Sequence, residues 1–290
     1  MTETLGGDTD LMFRELPPDV LTDLESSHAG QVHFTPRGGV YFMTLDTVIP
    51  PFDDVRVRRA LNLAVDRAEI ADLFAGTGSS TCQILPPNFP GYVPYCPFTA
   101  SPDGTWTAPD LGQARSLIQR SATAGSKVTV WATPEYAFGI PVAVGHYFVD
   151  LLAELGYRAT LKVVHDGDRY FADTLDPSRD VQIAFSGWSA DYPAESGFII
   201  PVASCTAASS SNVQFCDPEI DRRMERASRL QLTDLAAAHR LWSSIEHDIT
   251  DQAPWVPLVS RSWVNFVSER LENYQVNPEW GPLVDQMWVQ

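Results

Sequence analysis

Hydrophobic and polar positions alternate with period two over Val181, Ile183 and Phe185, which predicts a strand with one buried face that breaks at Gly187. Upstream, Gln31 to Thr47 reads as two strands joined at Gly38-Gly39, the second carrying Val40, Tyr41, Phe42, Met43, Thr44 and Leu45. From Pro50 the period lengthens to that of a helix. Asp53 or Asp54 can cap a first helix with Val57, Ala60, Leu61 and Ala64 on one face. Asp66 and Glu69 form a D-x-x-E capping box for a second, with Ile70, Leu73 and Phe74 inward and Gly76 as its stop. Arg56, Arg58 and Arg59 project from the first helix and are expected to be solvated or paired with local acids, since no Gly-rich loop accompanies them.

Residues 77 to 109 are a long connection broken by seven prolines, with Tyr92, Tyr95, Phe98 and Trp106 to pack it down. Strand and helix then alternate: a helix near Asp110 to Arg120, a strand Lys127 to Ala132 and a helix Pro141 to Leu155 that Gly156 stops. A strand Arg158 to Val164, a short helix around Asp168 to Leu175 and the strand opening at Val181 follow. That alternation argues for a largely parallel sheet covered on both sides. Residues 194 to 217 read as loop, low in complexity at Ala207 to Ser211. Pro218 after Asp217 opens a helix, Thr233 caps another that buries Ala238, Leu241, Trp242, Ile245 and Ile249, and strands near Val256 to Val259 and Trp263 to Val267 lead to the C-terminus. An apolar pattern at Val20, Leu21 and Leu24 allows one helix in the first 30 residues.

The 290 residues are enough for one large domain or two lobes, and 44% hydrophobic with 20% charged residues is ordinary for a folded chain. Apolar runs are too short to span a bilayer, and the polar start Met1, Thr2, Glu3, Thr4 does not read as a signal peptide. With 37 acidic against 20 basic residues, the net charge of −17 argues against a nucleic-acid partner, because phosphate binding needs a basic surface.

The four cysteines fall as two near pairs, Cys82 with Cys96 and Cys205 with Cys216, and neither has CxxC spacing. Each pair brackets a Pro-rich or Ser/Ala-rich segment, where a disulfide would restrain a loose loop by roughly 3 kcal/mol. That would imply an oxidising compartment; four reduced, buried thiols are the alternative.

Hydrolase signals fail in turn. Gly187-Trp188-Ser189-Ala190-Asp191 lacks the second glycine of a nucleophile elbow, and HExxH, GxGxxG and Walker sequences are missing. His239 and His247, eight apart on one helix, do not make a metal site by themselves, and no carboxylate pair stands out as acid and base. No catalysis, metal or cofactor is expected. Beyond Gly187, Trp188, Asp191 and Tyr192 sit at a strand end, where ligands of α/β sheets bind, and a carboxylate beside aromatic surfaces suits a cationic group with an apolar body. On pattern alone, two aromatics there are packing more often than a ligand platform.

Five ordered segments resemble the extracytoplasmic solute-binding proteins of ABC importers, the family-5 group that takes up oligopeptides, dipeptides and nickel chelates: YFMTLDT from Tyr41, PPFDDVRVRRALNLAVDR from Pro50, GWSADYP from Gly187, FCDPEID from Phe215 and APWVPL from Ala253. The resemblance implies a type II periplasmic-binding-protein fold, two α/β lobes closing on ligand in a cleft. Family members are far longer and carry the YFMTLDT-like segment near the middle, so this chain resembles their C-terminal half. Residues 1–45 and 262–290 would be parts of a first lobe, and 46–261 a second α/β lobe.

By the same resemblance, Asp191 matches the aspartate that pairs with a peptide's α-amino group, Trp188 a cleft aromatic, Tyr192 its neighbour, and Tyr41 a strand bordering the site. Asp46 stands where the family commonly has Asn, and no arginine emerges to receive a peptide carboxylate. The implied partners are a small peptide or peptide-like solute and an ABC permease, in an extracytoplasmic setting, with any membrane attachment through an anchor outside this chain. The alternative function is a sensing or interaction module of a larger regulatory protein.

Overall fold

Two long strands cross the protein side by side, β2 (Val32–Leu45) and β7 (Trp255–Val267), and the sheet is built outward from them. The computed structural model describes residues 4, 6–12, 18–74, 77–134, 140, 142–208, 211 and 213–290. In chain order the other elements are β1 (Leu11–Met12), α1 (Pro18–Ser27), α2 (Val55–Ala64), α3 (Arg67–Leu73), β3 (Gly78–Ser80), α4 (Leu111–Ser121), β4 (Lys127–Ala132), α5 (Val142–Glu154), β5 (Arg158–Val163), α6 (Gly167–Leu175), β6 (Ile183–Ser189), α7 (Glu195–Ala203), α8 (Cys205–Ala208), α9 (Pro218–Leu230), α10 (Leu235–Gln252), β8 (Leu271–Glu272), β9 (Val276–Asn277), β10 (Gly281–Pro282) and β11 (Trp288–Val289).

Strand order is β1-β7-β2-β6-β4-β5, with β3 also on β7. Only β4 pairs in parallel, with β5 and β6, whereas β2 runs antiparallel to both β6 and β7. The sheet is therefore mixed rather than largely parallel. The cause is β2, which enters from the opposite direction to the strands of the β-α-β units. Nor is β2 a pair of strands. It passes through Gly38-Gly39 with a register shift against β7 between Pro36 and Val40, and on its other side Gly39 leaves room for Ser189, whose Oγ would lie 2.5 Å from a Cβ there. Similarly, the two strands expected near the C-terminus are one, β7. Every residue of β2 from Gly38 onward is buried, and those before it are half-buried or exposed.

Side chains alternate between the sheet's faces. Tyr41, Met43, Leu45, Ile183 and Phe185 face α2, α3, α4 and α5, in a core with Leu61, Ile70, Ile118 and Phe148. Val40 and Phe42 face α7, α9 and α10, around Phe198, Met224, Trp242 and Ile249. Farther along that second face, α6 packs Tyr170 against Trp131 and Ala184.

The helix signals are honoured with three differences. Asp54, Asp66, Asp110 and Asp217 accept hydrogen bonds from the first turns they precede. The reciprocal arm of the Asp66-Glu69 box is not made, since Asp66 N donates instead to Tyr147 Oη at 2.7 Å. The cap of α10 is Asp234, whose carboxylate accepts from Ala237 N, and not Thr233. Arg56 pairs with Asp54 as expected, but buried Arg58 and half-buried Arg59 donate to carbonyls left free at the end of α10, those of Gln252 and Asp251. Gly76 and Pro141, read as a stop and a start, and Ser209 and Ser210 in the low-complexity stretch lie outside the described residues.

Both cysteine pairs are bonded, Cys82 to Cys96 with Cα atoms 5.2 Å apart and Cys205 to Cys216 with Cα atoms 4.4 Å apart, which removes the reduced-thiol alternative. No helix among the described residues is long and apolar enough to cross a membrane.

Candidate functional site

β6 does not break at Gly187. It runs on to Ser189, so Trp188 belongs to the strand and only Asp191 and Tyr192 lie on the loop that follows. Gly187 is needed there for space: a Cβ would collide with the Tyr41 ring opposite it. Ala190 N still donates to Gly38 O at 3.2 Å, and the chain then turns within four residues into α7. This α7 occupies a stretch expected to be loop. Its sequence ESGFIIPVA is apolar on all sides, so it carries no helical period to read.

Trp188 and Tyr192 converge on Gly197 in the first turn of α7. The indole Nε1 donates to Gly197 O at 3.1 Å, and a Cβ on Gly197 would lie 2.9 Å from the Tyr192 ring. Tyr192 Oη reaches Ser196 Oγ at 3.3 Å while 48% of the residue remains exposed. Asp191 is exposed, and its carboxylate has no hydrogen bond or ion pair among the described residues. Asp191, without a partner among the described residues, thus lies in the chain between two aromatics that both meet α7 at Gly197.

Tyr41 is not part of that group. Since Tyr41 pairs with Gly187 and Val40 with Trp188, alternation sends Tyr41 to the other face of the sheet. There it is 3% exposed, stacked on Phe74 with ring centroids 5.8 Å apart, and its hydroxyl accepts from Arg261, whose guanidinium also lies 4.9 Å over the ring.

Sequence reasoning missed the surroundings of Trp188. On the second face of the sheet, between α6 and α7, a cavity of about 330 Å³ is lined by Trp188 together with Phe42, Phe171, Leu175, Val202 and Trp255. The parity of Phe42 in β2 was the available signal; the approach of α6 and Trp255 was not visible in one dimension. The Cys205–Cys216 bridge closes a segment whose Ala207 and Ser211 also line this cavity.

Carboxyl groups are buried at other points of the molecule. Glu195, fully buried at the start of α7, is bonded through Oε1 to His239 Nδ1, and its Oε2 has no partner among the described residues. Gly91, at φ +71°, covers the pair from the disulfide-bridged loop, at a point where a Cβ would strike Glu195. Beneath the same loop, Glu246 of α10 accepts from Gln83 Nε2 at 2.5 Å and Thr250 Oγ1 at 3.2 Å, and burial pushes its carboxyl up to about 7. Asp46 is also buried and raised, despite accepting from Val48 N and Gln214 Nε2 at 3.0 Å each. His247 is engaged separately, stacked on Tyr95 at 4.2 Å. No group of three potential metal ligands occurs among the described residues.

Comparison with known proteins points one way. Residues 1–210 match the family model described as bacterial extracellular solute-binding proteins, family 5 Middle. The chain is 28% identical over 264 residues to the probable di/tripeptide-binding protein 5 of Pseudomonas aeruginosa, covering 88% of this chain and 47% of that protein. It is 22% identical over 273 residues to the glutathione-binding protein GsiB of Escherichia coli, covering 92% of this chain and 51% of that protein. Among solved structures it superposes on clavulanic acid biosynthesis oligopeptide binding protein 2 with a TM-score of 0.88 at 22% identity, over 99% of this chain and 54% of the other. The Escherichia coli murein tripeptide binding protein MppA gives 0.80 at 20% identity, over 99% and 55%. The chain spans about half the length of the curated relatives it matches. With its mixed sheet laid over half of a type II binding-protein fold and more than two thirds of its sequence matched, this chain belongs to the family-5 bacterial extracellular solute-binding proteins.

Proposed function

We propose that this chain is the ligand-capturing second lobe, with parts of the first, of an ABC importer's solute-binding protein, and that it binds a peptide or peptide-like solute at the β6–α7 loop. The observation that carries this is the exposed, unpartnered Asp191 carboxylate beside Trp188 and Tyr192. Such a group is available to a ligand ammonium, and a charge-assisted hydrogen bond to it strengthens as a closing cleft excludes water. The similar proteins are named for binding dipeptides, tripeptides and glutathione, which supports a ligand of that class. Tyr41 acts in this reading from behind the strand, filling the space over Gly187 and so setting the backbone that presents Trp188.

The lobe division follows the same reading. Residues 46–261 form the second lobe, and 1–45 with 262–290 are parts of the first, which a partner half would complete. Two two-stranded ribbons, β8 with β11 and β9 with β10, support it, because such ribbons are marginal alone and here leave Trp280 and Trp288 exposed. The assembled protein works outside the cytoplasm, delivers ligand to a membrane permease, and catalyses nothing.

Calorimetry with a mixed dipeptide and tripeptide pool tests the anchor. Asp191→Ala is expected to weaken binding by about ten- to a hundredfold, the loss of one charge-assisted hydrogen bond. N-acetylation of the peptides should have a similar effect on the wild type and none on the variant. Equal binding by wild type and Asp191→Ala sinks the assignment.

A further inference from the structure

We propose that the cavity between α6 and α7 is a receptor for an apolar group of aromatic size, and that it selects ligands carrying one. As a statement about peptide ligands this rests on the reading of the β6–α7 loop given above; as a statement about the cavity it stands on the following geometry.

Trp188 belongs to both places. Its indole N–H is committed to Gly197 O beside Asp191 and Tyr192, and its ring forms part of the cavity wall. A group entering the cavity would therefore meet the same indole that is anchored at the start of α7. The cavity measures about 330 Å³, whereas an apolar cavity of about 150 Å³ suffices for a benzene-sized guest, so a phenyl or indole group fits with room to spare. It also opens to solvent beside Leu175, which is half exposed, so a guest has a way in.

The lining decides the chemistry. Although the chain carries 37 acidic and 20 basic residues, no charged side chain lines this space among the described residues. Its hydroxyls are mostly committed elsewhere: Thr44 Oγ1 donates to Ala184 O at 3.0 Å and Thr174 Oγ1 to Phe171 O at 3.4 Å. Ser186 alone among them has no side-chain hydrogen bond to another described residue, leaving one polar handle in an apolar wall. A carboxylate or ammonium placed here would lose its hydration and gain no counter-charge, so charged side chains are rejected. Phe42, Phe171, Trp188 and Trp255 offer ring surfaces from four elements, and aromatic guests gain edge or face contacts beyond simple burial.

Fluorine NMR of fluorotoluene titrated with this chain tests the proposal. Saturable binding is expected, on the order of 1 mM or tighter for so few atoms. Ala207→Trp, which fills the cavity from α8, should weaken it at least about tenfold. In the wild-type protein, which needs no variant to fold, the indole N–H resonances of Trp188 and Trp255 should both move. Absence of saturation, unmoved indole resonances, or equal binding by a folded Ala207→Trp variant would overturn the receptor. Peptides separate the two readings. Phenylalanine-containing peptides should displace fluorotoluene and aspartate-containing ones should not; peptide binding without displacement overturns the selection role while the Asp191 anchor stands. Saturable fluorotoluene binding with no peptide binding at all leaves the receptor supported and removes the peptide reading.

Discussion

Replacing Glu246 by Gln should remove one pH-dependent contribution to stability, which the wild type loses between about pH 4 and about pH 8. The carboxylate is fully buried, beneath the loop that the Cys82–Cys96 bridge closes. Burial raises its pKa from 4.5 to about 7, against the opposing effect of hydrogen bonds from Gln83, Thr250 and the backbone of Ile84 and Leu85. A rise of 7 − 4.5, about 2.5 units at 1.36 kcal/mol each, makes the ionised form cost about 3 kcal/mol in the folded state.

The sign follows from proton counting. The native state holds the proton more tightly, so Glu246 contributes its stability fully below pH 4.5 and loses it as pH rises through about 7. Gln is uncharged at every pH. Its amide meets donors on Gln83, Ile84 and Leu85, which costs stability by a constant amount. Urea denaturation of both proteins across this pH range isolates the variable part. The difference in unfolding free energy, wild type minus Glu246→Gln, should fall by about 3 kcal/mol from the acid to the alkaline end. A flat difference would refute the reasoning, because it would mean the surrounding donors hold the carboxylate ionised throughout.

Other consequences can be measured in the same way. Trp242 is fully buried and its indole N–H has no partner among the described residues, so Trp242→Ala should cost about 3 to 5 kcal/mol in urea unfolding, whereas Trp242→Phe should cost far less, since the orphaned donor leaves with the lost volume. Changing Cys82 and Cys96 together to Ser should lower stability by roughly 3 kcal/mol, seen as a shift of the urea midpoint under non-reducing conditions; an unchanged midpoint would show that the Tyr95–Asp251 and Gln83–Glu246 bonds suffice to hold the loop. Gly197→Ala should change stability by less than about 1 kcal/mol, helix propensity offsetting the crowding, yet shift the Tyr192 ring resonances as the ring is pushed off α7.

Much of this protein is local in origin. The helix starts at Asp54, Asp66, Asp110 and Asp217 need only a side chain able to reach the next turn's N–H groups, and so they are legible in a few residues. Period-two and period-3.6 patterns likewise located β4, β5, α4, α5 and α10, because an element with one wet face must write that face into its sequence. The five family segments are of the same kind, short and contiguous. Where that condition fails, so does the reading: α7 is apolar on all sides, and Gly187 looks like a break while it serves as a gap for Tyr41.

The candidate site was legible as a cluster, Trp188, Asp191 and Tyr192, but not as an arrangement. Which face Tyr41 occupies depends on its pairing with Gly187, and register is a property of two strands. That β2 runs antiparallel to both neighbours, that Phe42, Phe171 and Trp255 meet around Trp188, and that Glu246 lies beneath the 82–96 loop all rest on contacts between residues far apart in the chain. Sequence alone determined the elements and the chemistry each could offer. Tertiary structure decided which of those chemistries face one another, because burial and pairing are set by the neighbour across the gap and not by the residue next along the chain.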